Sequence, residues 1–226
     1  MSARKRYPVA PQPERFLEAQ ANHAAERCCD LGVNYIRIRN DYHGIPRGAV
    51  LVEGRVIPDY PHIARVFALA AGVRQSLQGP FLVEEKIDGY NVRIFRVADR
   101  CVAITRSGRI CPFTTDRLPD LLDITALERL LTAHPDLILC AEVAGPGNPY
   151  MDTASPRGGD DIALFVFDLL RQGQEQFVPL GERDALLARY GLPATPRFGC
   201  FTADELAQVF EIVRRLDAEG GEGIVL

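Results

Sequence analysis

Val83-Glu84-Glu85-Lys86-Ile87-Asp88-Gly89-Tyr90-Asn91-Val92-Arg93 is the stretch on which the fold turns. An apolar lead-in, Phe81-Leu82-Val83, delivers a lysine; Asp88-Gly89 follows, and Val92 to Val97 reads as a second strand. Asp-Gly between two strand-like runs predicts a hairpin, because both residues tolerate positive φ. A lysine closing a buried strand is unusual, since lysines are almost never fully buried without a reason. Desolvation and neighbouring cations loosen the proton of such a lysine and make it a nucleophile. Lys-x-Asp-Gly also arises by chance on surface hairpins, so its meaning depends on what accompanies it.

Working outward, the 226 residues suffice for one large domain or a domain with a small appendage. Hydrophobic content of 47% and charged content of 25% are those of an ordinary soluble protein. A net charge of −4 argues against a uniformly basic nucleic-acid coat while leaving room for a local basic groove. Met1 to Pro8 is basic but no apolar run follows, so no signal peptide is expected. The longest apolar run, Ile162–Phe167, is far too short to span a membrane, and a cytoplasmic location is expected. Six cysteines (28, 29, 101, 111, 140, 200) form no Cys-x-x-Cys pair. Cys101, Cys111 and Cys140 lie in or beside apolar runs and read as small buried hydrophobes in a reducing compartment.

Upstream, periodicity predicts a helix over Glu14–Cys29 closed by Gly32, then strands at Val33–Arg39 and Ala49–Val52. A boundary near residue 60 divides a small N-terminal α/β module, 1–60, from a main domain, 61–226, opening with a helix over His62–Leu77. Downstream, Cys101–Thr105 is a strand ending at Arg106-Ser-Gly-Arg109, and Thr114–Leu131 is helical in two pieces broken at Pro119. Leu137–Val143 is an apolar strand carrying Glu142; an acid there is paired or belongs to a site. Ile162–Leu170 is a buried strand containing Phe167-Asp168, and Leu180–Tyr190 is a helix stopped at Gly191. Thr202–Leu216 is a helix opened by a Thr202/Glu205 capping box, and a strand begins at Glu222-Gly-Ile-Val-Leu226. Strands outnumber the helices that could cross between them, which predicts an α+β fold of antiparallel sheets with flanking helices.

Lys86-x-Asp-Gly, Arg106, Glu142, Phe167-Asp168 and Glu222-Gly-Ile-Val-Leu, in this order and spacing, resemble the covalent nucleotidyltransferases: polynucleotide ligases and messenger-RNA capping enzymes. The likeness is greatest to archaeal-type ATP-dependent RNA ligases that circularise single strands. It extends through His43-Gly-Ile-Pro-Arg-Gly-Ala49, Ile57-Pro-Asp-Tyr-Pro-His-Ile63, Cys111-Pro-Phe-Thr-Thr115 and Gly145-Pro-Gly-Asn-Pro-Tyr150. The resemblance implies a ligase-type adenylation domain in which Lys86 attacks ATP and holds AMP. It implies that Glu84 reads the adenine amine, Phe167 stacks on the ring, and Arg106 lies by the ribose and phosphates. Asp88 and Gly89 belong to the nucleotide-binding motif, Arg93 and Mg²⁺ or Mn²⁺ neutralise charge, and Glu142 and Glu222 touch the ribose or the metal's water shell. The implied partner is single-stranded RNA or DNA bearing a 5′-phosphate, and a homodimer is allowed for in the full-length protein. DNA ligases and capping enzymes typically place an arginine five residues after the lysine; here Asn91 occupies that position, which favours the RNA branch. The family pattern continues past Leu226 with a lysine and a further lysine-bearing strand that grips the phosphates. DNA ligation and a non-catalytic ATP or nucleic-acid-end binding module are the alternatives.

Overall fold

The computed structural model describes residues 12–61, 63–150, 156–172 and 177–226. Proline at its first position starts helix α1 (Pro13–Ala21), which buries Phe16 and Ala19. The chain turns at His23 and enters β1 (Ala25–Asp30), which pairs along its whole length with β2 (Val33–Ile38). Leu31 (φ 51°) and Gly32 (φ 77°) form the two-residue connection between them, and their positive φ suits a tight hairpin. The helix predicted over Glu14–Cys29 is thus corrected: it ends at Ala21, and Gly32 serves a hairpin rather than a helix end. Helical periodicity ran on through a segment whose backbone bonds go to β2. With β3 (Val50–Val52) and β4 (Arg55–Ile57) these strands form an antiparallel sheet in the order β1-β2-β3-β4. Helix α2 covers only Leu69–Ser76 of the span predicted to start at His62, a residue outside those described.

The stretch from Val83 to Arg93 then separates two sheets. Strand β5 (Phe81–Lys86) is the centre of a three-stranded antiparallel sheet, flanked by β10 (Arg197–Phe201) and β11 (Gly223–Val225). Strand β6 (Tyr90–Val97) belongs to a second sheet, ordered β7 (Arg100–Thr105), β6, β8 (Leu137–Ala144), β9 (Ala163–Arg171). The predicted hairpin at Asp88-Gly89 is therefore wrong: β5 and β6 do not pair, and neither residue has positive φ. Residues 87–89 are a crossing from sheet to sheet. Glycine is required for a different reason: a Cβ on Gly89 would stand 2.3 Å from the Val143 carbonyl oxygen on β8.

Between β7 and β8 lie helices α3 (Pro112–Leu121) and α4 (Ile124–Ala133). Pro119 is accommodated inside α3, and the break falls at Asp123, whose carboxylate caps α4 through Ala126 N–H. Helix α5 (Leu180–Tyr190) ends at Gly191 with φ 63°, as predicted. Thr202 and Glu205 form the predicted capping box, followed by a short 3-10 turn and α6 (Leu206–Ala218). Strands β4 and β10 were not expected from the sequence.

Strand alternation gives the central sheet two apolar faces. One, with Val92, Ile94, Leu139, Ala141 and Val166, packs on Leu127, Leu130, Leu186 and Leu187 of α4 and α5. The other, with Phe95, Val102, Ile104 and Ile138, meets Tyr35, Val50, Val52 and Ile57 of the N-terminal sheet. Each such side chain contributes on the order of 1.5–3 kcal/mol by burial. Exposed pairs between the same parts, such as Arg109–Glu26 at 2.8 Å, are worth about 0–1 kcal/mol, so shared core dominates the docking. Among the described residues no helix is long and apolar enough to cross a membrane.

Candidate active site

Alternation along β5 points Glu84 and Lys86 to one side and Glu85 to the other, where it is buried and bonded to Arg157 at 2.6 Å. Gly223 of β11 stands opposite Lys86, so Glu222, one residue earlier, reaches the lysine and forms an ion pair with its Nζ. The crossing at residues 87–89 presses the end of β5 against β8. Lys86 and Glu142, carried by different sheets, therefore face each other within electrostatic reach. Arg106, just past β7, is exposed and acts on Glu142; Asp88 acts on both Lys86 and Glu142.

Burial pushes the Lys86 ammonium below the ordinary lysine range; the Glu142 and Asp88 carboxylates oppose this, and the Arg65 guanidinium adds to it. The direct Glu222 pair also opposes it, holding the proton while the lysine is unmodified. Burial raises the Glu142 carboxyl to about 8 despite Lys86 and Arg106. The Glu142 side chain makes no hydrogen bond or ion pair with another described residue. Across the ladder from it on β6, the Asn91 side-chain oxygen is buried with no hydrogen-bond partner. The buried Asn91 oxygen carries a cost that a hydroxyl or hydrated cation would relieve, and the half-buried Glu142 carboxyl lies beside it on the adjoining strand.

Phe167 lies at a bulge of β9, where Ala141 pairs with Val166 and Cys140 with Asp168. Its half-exposed ring meets Tyr60 edge-on at 5.1 Å. Glu84 is held by Arg183, at 2.5 Å and 3.2 Å, and by Arg197 at 3.3 Å. Arg93 departs from expectation. It is fully buried and donates to the carbonyls of Pro58, Gly48 (3.0 Å) and Thr105 (2.9 Å). Its guanidinium ties the N-terminal sheet to the end of β7, so the phosphate-neutralising place given to it is corrected. Neither Arg65 nor Arg183 was foreseen, because nothing in their local sequence sets them apart from solvated arginines.

Among the described residues no three His, Cys, Asp or Glu side chains gather closely enough to hold a metal. Mg²⁺ and Mn²⁺ commonly take one or two carboxylates with water and substrate phosphate oxygens, and Glu142 and Glu222, each facing Lys86, suit that donor set.

The sequence profile of the RNA ligase family matches residues 79–226, which span every strand and acid of this site. The chain belongs to the RNA ligase family. It is 43% identical to a solved structure from Aquifex aeolicus titled "Putative ATP-dependent DNA ligase", with a TM-score of 0.86 over 94% of this chain and 58% of that one. It is 33% identical to an archaeal ATP-dependent RNA ligase, with a TM-score of 0.84 over 94% of this chain and 57% of that one. An uncharacterised Methanocaldococcus jannaschii protein is 30% identical over 86% of this chain and 50% of its own length. A probable DNA ligase of Streptomyces griseus is 36% identical over 62% of this chain and 29% of its own. A Naegleria gruberi RNA ligase variant solved with ATP and Mn shares the fold at 15% identity, with a TM-score of 0.54 over 70% of this chain and 48% of that one. This RNA ligase-family chain thus spans little more than half the length of the solved relatives that it matches.

The close approach of Gly89 to β8 is testable. Gly89→Ala is expected to lower stability by about 1–3 kcal/mol through overpacking, and to displace Lys86 from Glu142. Thermal unfolding with a wild-type midpoint would show that the crossing yields freely.

Proposed function

We propose that this RNA ligase-family chain performs ATP-dependent nucleotidyl transfer, with residues 61–226 as the adenylation domain and Lys86 as the nucleophile. The supporting observation is a lysine depressed by burial and by Arg65, set against the half-buried Glu142 carboxyl at the junction of two sheets. Lys86 gives up its proton, and its lone pair forms a nitrogen–phosphorus bond to the α-phosphorus of ATP; the bridging oxygen leaves with pyrophosphate. A polynucleotide 5′-phosphate oxygen then displaces Lys86 and takes the AMP. A 3′-hydroxyl finally attacks that 5′-phosphate, making the phosphodiester and releasing AMP. In this reading Phe167 stacks on adenine, Glu84 accepts its amine, and Arg106 faces the ribose and phosphates. Asp88 and Gly89 shape the loop beneath the nucleotide, and Glu142 and Glu222 hold the ribose or the water shell of Mg²⁺ or Mn²⁺. That cation, when bound, supplies charge neutralisation at the phosphate oxygens.

Protein incubated with ATP and Mg²⁺ is expected to gain the mass of AMP as an acid-labile, alkali-stable adduct. No adduct would leave only the binding-module alternative. ATP is expected to label the protein about tenfold or more over GTP, because guanine turns a carbonyl toward the Glu84 acceptor. Equal labelling removes Glu84 from base recognition.

Joining of DNA is a second reading, favoured by the Aquifex aeolicus and Streptomyces griseus likenesses. Sealing of 5′-phosphorylated single strands of RNA and of DNA, compared side by side, decides between them. The free thiols of all six cysteines support a reducing, cytoplasmic setting. A homodimer of the full-length protein is a further part of this reading. Size-exclusion chromatography is expected to show a dimer, and a monomer at all concentrations removes that part of the proposal.

A further inference from the structure

Arg183 sits in the first turn of α5, remote in sequence from every motif of the site, yet its side chain is only 4% exposed. Its guanidinium forks onto Glu84, Nη2 to Oε1 at 2.5 Å and Nη1 to Oε2 at 3.2 Å. Nη1 also donates to the carbonyl oxygen of Phe167, the residue at the β9 bulge. On the far side, Nε and Nη2 donate to Asp184 at 3.1 Å and 3.0 Å. Arg197 of β10 closes the ring, meeting Glu84 at 3.3 Å and Asp184 at 2.8 Å. One guanidinium therefore joins β5, two residues before Lys86, to the backbone of β9 at the ring assigned to adenine.

We propose that Arg183 is a positioning residue that sets the nucleotide base: it holds the Glu84 acceptor and the Phe167 platform, carried on different sheets, at a fixed separation. This rests on the base-recognition reading above. The chemistry permits both roles for Glu84. A carboxylate has about four acceptor positions, and the two arginines occupy three of them, leaving capacity for an exocyclic amine. A bulge carbonyl has lost its ladder partner, and Arg183 supplies the donor that keeps it in place. Holding an acceptor rigidly makes a mismatched carbonyl costly, because the carboxylate cannot turn away. A planar fork does this and a lysine does not.

The test uses Arg183→Lys, which keeps charge but not the fork, and Glu84→Gln, which keeps shape but not charge. Equilibrium binding of ATP and of GTP is measured by calorimetry, alongside the rate of Lys86–AMP formation and the unfolding temperature. Arg183→Lys is expected to weaken ATP binding about 10- to 100-fold, the loss of a charge-assisted contact. Its preference for ATP over GTP should fall toward parity, while adenylation at saturating ATP changes by less than about threefold. Glu84→Gln should lose the same preference, and the double variant should lose less than the sum of the two. Unchanged ATP preference in Arg183→Lys overturns the proposal, as does an equal loss for both nucleotides that follows the unfolding temperature. If wild-type protein forms no adduct, the catalytic reading fails, and the two binding measurements still decide the role of Arg183.

Discussion

Lys86→Arg is expected to abolish AMP attachment while leaving the fold intact. The arginine keeps a positive charge, and at 39% side-chain exposure the site has room for the larger head and for the Glu222 pair. A guanidinium stays protonated in proteins and has no free lone pair to give to phosphorus. The loss is thus chemical rather than electrostatic, and labelling from α-phosphate-labelled ATP should fall below detection. The unfolding temperature should barely move, because a half-exposed ion pair is worth at most about 1 kcal/mol. A covalent adenylate on this variant would show that another group is the nucleophile.

Glu142→Gln is expected to stabilise the protein in alkali and to cost most of its nucleotidyl transfer. The carboxyl titrates near 8 in the folded protein and near 4.5 when solvated. Between those values the folded state keeps a proton that the unfolded state has released, so folding stability declines as pH rises through that window and levels off above it. At up to about 1.36 kcal/mol for each pH unit crossed, the wild type forfeits on the order of 4 kcal/mol by pH 8, and glutamine, which cannot ionise, forfeits none. The stability gap between variant and wild type should therefore be small near pH 5 and widest above pH 8. Activity should fall roughly 10²–10³-fold, as for the loss of one preorganised polar group. A gap that does not change with pH would show Glu142 to be solvated; activity lost in step with unfolding would reassign it to the framework.

Much of the site was legible in the chain because its signals are local. Lys86 at the end of an apolar run, Glu142 inside one, and Phe167 before Asp168 stand out against their immediate neighbours. Gly191 and the Thr202/Glu205 box likewise mark helix ends through contacts three or four residues away. Where partners are distant, local signals misled. Ala25–Asp30 carries residues that suit a helix, yet its backbone bonds are claimed by β2. Strand β10 has a weak pattern and exists because β5 offers it an edge.

By itself the sequence determined the α+β class, most of the strands from β5 to β9, and which lysine and acids stand out as candidates for the chemistry. These follow from alternation, capping and the rarity of charge within apolar runs. The tertiary structure alone decided that Asp88-Gly89 crosses between sheets, with a glycine chosen for the Val143 carbonyl pressed against it. It also decided the fates of three arginines: Arg93 buried as a tie to the N-terminal sheet, Arg65 beside Lys86, and Arg183 forked on Glu84. An arginine's long side chain takes its role from whatever acceptors the fold brings within reach, and those lie 45 and 99 residues away for Arg93 on Gly48 and Arg183 on Glu84. No local pattern encodes that distance.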